Sequence, residues 1–144
     1  MKTERVQAGA SLAVFRDNIQ KLVDRLEGGV GGVLMGFDGI TVDSYVREVV
    51  ATGVADIQSI GLDFTHLTSQ ARRTAASLDL GALRELSFTT AKVTVLVQVI
   101  NKDYFIACAF RTTGDPSDDA AVAGRLGKAR YLMRLTAPQL EAQL

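Results

Sequence analysis

The sequence from Ile57 to Leu78 reads IQSIGLDFTHLTSQARRTAASL. Apolar and small residues recur in it at spacings of three and four, a period that indicates an amphipathic helix. We expect the following residues to form the face that covers a β-sheet: Ile57, Ile60, Phe64, Leu67, Ala71, Thr74 and Leu78. Strand-like sequences lie on both sides of this segment, so it is predicted to be the central helix of the domain.

The same helix has a polar face and a flank of small residues. The polar face repeats with the same period and should point to solvent or to a partner. Its members are Ser59, Asp63, His66, Gln70, Arg73 and Ser77. Between the two faces lie Gly61, Thr65, Thr68, Ala75 and Ala76, whose small side chains allow another backbone to come close. Asp63, His66, Gln70 and Arg73 are therefore our candidate partner-binding residues.

Two strands are predicted before the central helix. Residues 30–37 are small or apolar at nearly every position, and residues 40–46 alternate between apolar and polar. Asp38 and Gly39 separate these runs, which predicts a hairpin with a two-residue turn and positive φ at both positions.

The N-terminal part of the chain is predicted to begin with a flexible arm over residues 1–10, because this stretch shows no periodicity. Ser11 is a candidate N-cap for a first helix, and Gly28 supplies its end.

Three more strands are predicted after the central helix. Residues 84–90 alternate, with Leu86 and Phe88 on one face, as is typical of a strand at a sheet edge. Residues 93–100 and 104–110 are apolar on both faces and should be interior strands.

The last helix is predicted to begin after Ser117 and to end or kink at Pro138. The domain would then cover residues 11–137, followed by a short C-terminal tail at 138–144. The order of elements is αββαβββα, which predicts an α+β fold: a three-layer α/β/α sandwich around a central five-stranded antiparallel sheet.

Composition narrows the possible functions. A chain of 144 residues with 47% apolar character fits one domain. Sixteen basic residues balance sixteen acidic ones, so we expect no nucleic-acid partner. No apolar run is long enough for insertion into a membrane, and no signal peptide is recognisable. The single Cys108 lies in an apolar run, where a buried thiol in a reducing cytoplasm is expected.

The sequence offers no set of residues for catalysis, and we predict no enzyme, no cofactor and no metal. The glycines of 28–32 lead into a strand and lack the Gly-Lys-Ser/Thr of a phosphate-binding loop. His66 is the only histidine, and it lacks the partners of a triad or a metal site. The pair Arg72 and Arg73 is more typical of a solvated helix face than of an arginine finger.

Residues 11–135 resemble the roadblock family of dynein light chain relatives. The resemblance rests on GGVLMGFDGI at 31–40, on the central helix, and on the valine-rich strand at 93 with the strand from Tyr104. Within the family the chain looks most like bacterial members of the MglB and MglC type, which work with the Ras-like GTPase MglA in polarity and motility. This resemblance implies a non-enzymatic adaptor or regulator that binds the GTPase or another roadblock protein.

The resemblance also implies a homodimer in which the edge strand and the central helix pair across a twofold axis. We expect its interface at Gly61, Thr65, Thr68, Leu86 and Phe88. The paired central helices would present the polar face to a partner. The sequence does not distinguish an activating subunit from a scaffold, although the chain ends soon after Pro138, which favours a scaffold. The alternative is a sensor that binds a small molecule in a pocket between helices and sheet.

Overall fold

The computed structural model describes residues 2–47, 57–112 and 119–144, with side chains described for 14–47, 61–112 and 120–144. The order of elements is the predicted one, and the α+β fold class is confirmed. The elements are α1 (Lys2–Arg25), β1 (Gly29–Gly36), β2 (Thr41–Val46), α2 (Ile57–Ser77), β3 (Glu85–Thr89), β4 (Val93–Val99), β5 (Tyr104–Arg111) and α3 (Asp119–Glu141). None of the helices in these ranges is long and apolar enough to cross a bilayer.

The five strands form one antiparallel sheet in the order β2-β1-β5-β4-β3. β1 and β5 are neighbours in its middle, with Gly32 opposite Cys108 and Leu34 opposite Ile106. As predicted from their two-sided apolar pattern, β4 and β5 are interior strands. β3 lies at the sheet edge, also as predicted.

Helices cover both faces of the sheet, which gives three layers. α1 and α3 share one apolar core with the sheet, and alternate residues of the central strands point into it. The largest fully buried members of this core are Ile19, Leu22, Leu34, Leu96, Ile106, Phe110, Met133 and Leu140. α2 covers the other face, where a second core contains Val33, Met35, Val95, Val97, Phe105 and Ala107.

Cys108 lies in the core between the sheet and α3. Its Sγ donates a hydrogen bond to Met133 Sδ at 3.2 Å. Burial raises the pKa of the Cys108 thiol to about 12, because an apolar surrounding disfavours the thiolate. The side chain is therefore a structural thiol, as the apolar run around it indicates.

The hairpin between β1 and β2 is confirmed, but the prediction of a two-residue turn is wrong. Gly36 N–H donates to Ile40 O at 2.9 Å, so three residues form the loop. Gly39 has a φ of +90°, whereas Asp38 is not among the residues with positive φ. The Asp38 carboxylate accepts a hydrogen bond from Ile40 N–H at 3.0 Å, and this local bond favours the three-residue loop.

Both terminal helices extend beyond their predicted limits. α1 begins at Lys2 rather than after Ser11, because 2–10 contains no proline and only one glycine to interrupt it. Whether residues 1–10 form a flexible arm stays a prediction. Pro138 does not end α3, which continues to Glu141. Leu140 is fully buried and anchors this last turn in the core. The predicted cap at Ser117 lies outside the described residues.

Replacing Leu140 by alanine should therefore destabilise the domain, although this residue falls in the predicted tail. We expect a loss of about 2–5 kcal/mol in the free energy of unfolding, the usual cost of truncating a buried leucine. Leu144→Ala is the matched control, since Leu144 is 41% exposed. Urea denaturation of both variants measures the difference, and equal midpoints would show that α3 does not need its last turn.

Candidate protein interaction surface

α2 contacts the sheet through its smallest residues. Gly61 is buried, and a Cβ at this position would collide with Met35 Sδ. One turn further on, Thr65 is 7% exposed and its hydroxyl donates to Gly61 O at 3.0 Å. Thr68 is fully buried, and its hydroxyl has no hydrogen-bond partner among the described atoms. α2 therefore lies close to β1 along this line of small side chains.

The predicted core face of α2 is wrong in its orientation over the residues whose side chains the structure describes, which do not include Ile57 and Ile60. Leu67 is 45% exposed and Leu78 is 64% exposed, while Phe64 is only half-buried. The buried residues lie roughly a quarter of a turn around the helix from the predicted stripe, at 100° per residue. The prediction that Gly61, Thr65 and Thr68 face a second protomer is wrong for the same reason, because their own sheet covers them.

The sheet explains why α2 needs small residues on this side. Bulky side chains rise from β1 and β5 beneath the helix, among them Met35 and Phe105. Phe37 packs against Phe105 with ring centroids 5.1 Å apart. The guanidinium of Arg72 lies 3.9 Å from the Phe37 ring centroid and donates to Lys102 O at 3.2 Å. Since the strands supply the volume, a helix with large residues here could not approach.

α2 lies over β1 and β2 and leaves part of the sheet on the β3 side less covered. Phe64 reaches across to Phe88 of β3, with ring centroids 6.1 Å apart. Beneath Phe64 is an apolar cavity of 110 Å³ that opens between the helix and the sheet. On this side α2 and the residue after it present an apolar surface, which we call the α2 flank, formed by Phe64, Leu67, Ala71 and Leu78.

The edge strand β3 runs beside the α2 flank. Within the described ranges it pairs with β4 alone, so its other edge has free backbone donors and acceptors. Leu86 and Phe88 are half-buried and point to the α2 side. Glu85 points to the opposite face, where it accepts a hydrogen bond from Arg130 of α3 at 2.7 Å, and this carboxylate raises the pKa of Arg130.

The predicted polar face of α2 is exposed from Asp63 onward, and the side chain of Ser59 lies outside the described residues. The structure brings Asp63, His66, Gln70 and Arg73 together on the side that points away from the sheet. Leu62, at 49% exposure, lies on the side opposite the α2 flank, toward the hairpin at Gly39. Leu62 belongs to neither predicted face of the helix, and Leu67 and Leu78 belong to the predicted core face. Their helical spacing was visible in the sequence, but the orientation of the helix was not.

The site offers protein surface, and its described residues form no recognisable reaction centre. The ranges with described side chains contain no group of three His, Cys, Asp or Glu side chains suited to a metal. The glycines of 28–32 form the end of the turn after α1 and the start of β1, where Gly32 faces Ile19 of α1. They are packed within the fold and make no open anion cradle.

Comparison with solved structures places these features in a known fold. MglC from Myxococcus xanthus is 30% identical, with a TM-score of 0.59 over 91% of this chain and 99% of the MglC chain. The chain belongs to the roadblock family, as an MglB/MglC-like member. The roadblock/LC7 domain from Streptomyces avermitilis has 17% identity and a TM-score of 0.66, over 87% of this chain and 92% of that domain. The gliding protein MglB from Thermus thermophilus has 11% identity and a TM-score of 0.71, over 88% and 85%.

The likeness to these two more distant structures supports the roadblock fold of this chain. The likeness to MglC covers nearly the full length of both chains. The sequence matches no family model and no curated protein. The residues of the central helix and of the edge strand in this roadblock member are therefore known from its own structure.

The corrected orientation of α2 can be tested at Gly61. Gly61→Val should lower the free energy of unfolding by about 1–3 kcal/mol, because the new side chain overpacks against Met35. Gly127→Val is the matched control: it also lies in a helix, and a Cβ there would meet no described atom within 4 Å. Thermal unfolding of both variants measures the effect. A Gly61→Val protein as stable as the control would mean that α2 does not contact β1 through this face.

Proposed function

We propose that this roadblock protein is a non-enzymatic dimeric adaptor or regulator in a bacterial Ras-like small-GTPase (MglA-type) system of cell polarity and gliding motility. The observation that carries the proposal is the exposed apolar α2 flank beside the free edge of β3. Large apolar side chains at an exposed strand edge favour pairing with another chain. The relation to MglC and the likeness to the gliding protein MglB support the choice of system.

The proposed homodimer uses β3 and the α2 flank. Two copies of β3 can pair as antiparallel strands about a twofold axis and continue the sheet, which satisfies the free backbone groups. Leu86, Phe88 and Leu67 of each copy would then be covered. Gly61, Thr65 and Thr68 remain in contact with their own sheet beneath the helix. The proposed interface therefore uses other residues of α2 than the expected ones, and it keeps the expected strand.

The proposed partner surface is the polar face of the paired helices. Two copies of Asp63, His66, Gln70 and Arg73 would form one exposed platform for a GTPase or another roadblock protein of the MglB type. Charges of both signs on such a surface favour specificity and a fast encounter more than high affinity. We favour a scaffold over an activating subunit, because Arg72 is held against Phe37 and the Lys102 carbonyl. Of the pair, Arg73 alone is exposed, and we assign it to the mixed-charge platform.

The small-molecule alternative receives less support. A pocket that encloses a ligand usually has a volume of about 300–1,000 Å³. The apolar cavity between α2 and the sheet has 110 Å³, and we infer that a side chain from a second protomer suits it better than a free ligand. A hollow of 580 Å³ between the end of α2 and β4 is large enough for a ligand, so it is the relation to MglC, and not volume alone, that favours the adaptor.

The dimer is tested by a matched pair of leucine substitutions on α2. Leu67→Asp places a charge in the proposed interface and should give the 15.4 kDa mass of one chain, whereas the wild type gives twice that mass. Leu62→Asp changes an equally exposed leucine on the other side of the helix and should stay dimeric. Light scattering at micromolar concentration measures the masses. A monomeric wild type, or a dimer that persists in Leu67→Asp, would contradict the proposed interface.

The partner surface is tested by reversing charges. The double variant Asp63→Lys with Arg73→Glu keeps the net charge and should lose capture of a purified MglA-type GTPase or MglB-type roadblock protein. Asp17→Lys with Arg134→Glu is the control, since these exposed residues lie on the helices of the opposite layer. Light scattering checks that both variants remain dimers. Full capture by the first variant as an intact dimer would overturn the platform.

A further inference from the structure

The outer face of α3 contains glycines and large apolar residues that packing within the described protomer does not require. A Cβ at Gly124 or Gly127 would meet no described atom within 4 Å. Glycine weakens a helix relative to alanine, and no packing among the described residues requires it at these positions. On the same face Tyr131 is 62% exposed and Leu135 is 49% exposed. This face therefore combines two unexplained glycines with two large apolar side chains.

The spacing of these residues is that of a surface against which another helix packs. Gly124, Gly127, Tyr131, Leu135 and Pro138 follow one another at intervals of three, four, four and three. Such intervals place the residues in one stripe along the helix, which we call the α3 stripe. The glycines would let a second helix come close at one end, and the larger side chains would cover it at the other.

A groove between α3 and α1 adjoins the α3 stripe. Its volume is 310 Å³, and Leu22 and Leu132 form an apolar floor. The lining residues are Asn18, Lys21, Leu22, Arg25, Leu132, Leu135, Thr136 and Gln139. Leu135 belongs to both the groove and the stripe, so one ligand can contact the two together.

The charge at this groove has one sign. Lys21 and Arg25 lie one helical turn apart on α1 and take part in no ion pair among the described side chains. No carboxylate is among the described residues that line the groove. Of the neighbouring acids, Asp24 of α1 lies 4.0 Å from Arg47, and Glu27, which follows α1, lies 3.2 Å from Arg125. Asp17, one turn before Lys21, is exposed and lies outside the groove lining.

We propose that the α3 stripe and the α1/α3 groove bind an amphipathic helix from another protein, with carboxylates on the flank that faces Lys21 and Arg25. This arrangement is helix-in-groove recognition, in which apolar residues anchor and charges select the partner. A second copy of the same face is disfavoured, since it would bring cations against cations. The surface lies on the layer opposite α2, so an acidic helix can bind while α2 is occupied. The proposal does not depend on the function of the α2 face.

The probe is a synthetic, fluorescein-labelled amphipathic helix of about 15 residues, the length of the α3 stripe. It has leucines at spacings of three and four and glutamates on one flank. A companion peptide replaces every glutamate by lysine. Fluorescence anisotropy with the full chain should show binding of the acidic peptide and affinity at least about tenfold lower for the basic one. No binding of the acidic peptide, or equal affinity for the two, would overturn the proposal.

Two changes in the protein then locate the site. Gly127→Gln fills the close-approach position without an intramolecular clash, and Lys21→Glu with Arg25→Glu reverses the groove charge. Each change should lower the affinity of the protein for the acidic peptide about tenfold. The control Lys92→Glu with Lys102→Glu reverses two exposed cations at strand turns and should leave affinity unchanged. Circular dichroism checks folding, and Gly127→Gln decides the question if the double reversal fails to fold.

Two results with these variants would overturn the proposal. One is unchanged affinity of the acidic peptide for folded Gly127→Gln. The other is a loss of protomer association in Gly127→Gln, measured by sedimentation, because the face would then bind a second copy of this chain.

Discussion

The structure depends on the close approach of a helix to each face of β1. At Gly32 the added Cβ of any other residue would lie 2.9 Å from Ile19 Cγ2 of α1. On the opposite face, Met35 fills the space left by the missing Cβ of Gly61 in α2. Interiors packed at this density tolerate little added volume. Two glycines, one in the strand and one in a helix, therefore set the positions of both outer layers.

The same close contact creates the candidate interaction surface. Because α2 must pack through Gly61, Thr65 and Thr68, its larger apolar residues turn sideways toward β3. Leu67 and Leu78 remain exposed, and they lie beside a strand edge without a partner among the described residues. A single protomer thus leaves apolar area and backbone polar groups uncovered on one side, both of which a second protomer can satisfy.

The two outer layers differ in chemistry, and this suits a protein that joins partners. The exposed side of α2 mixes Asp63, His66, Gln70 and Arg73, which have both charge signs and neutral groups. The groove between α1 and α3 has an apolar floor at Leu22 and Leu132 and a basic border at Lys21 and Arg25. Surfaces with different recognition chemistry on opposite sides of one sandwich allow two partners to bind without competing for the same residues. A different protein would then bind to each layer.

The sequence by itself determined the number, type and order of the elements and the edge position of β3, because alternation and helical periods are local properties. It also identified the exposed Asp63, His66, Gln70 and Arg73. Only the tertiary structure decided which face of α2 is buried. A period shows that Leu67 belongs to an apolar stripe, but the volume of Met35 and Phe105 determines that small residues must face the sheet. Likewise, Pro138 marks a helix end in local terms, and the burial of Leu140 extends the helix past it.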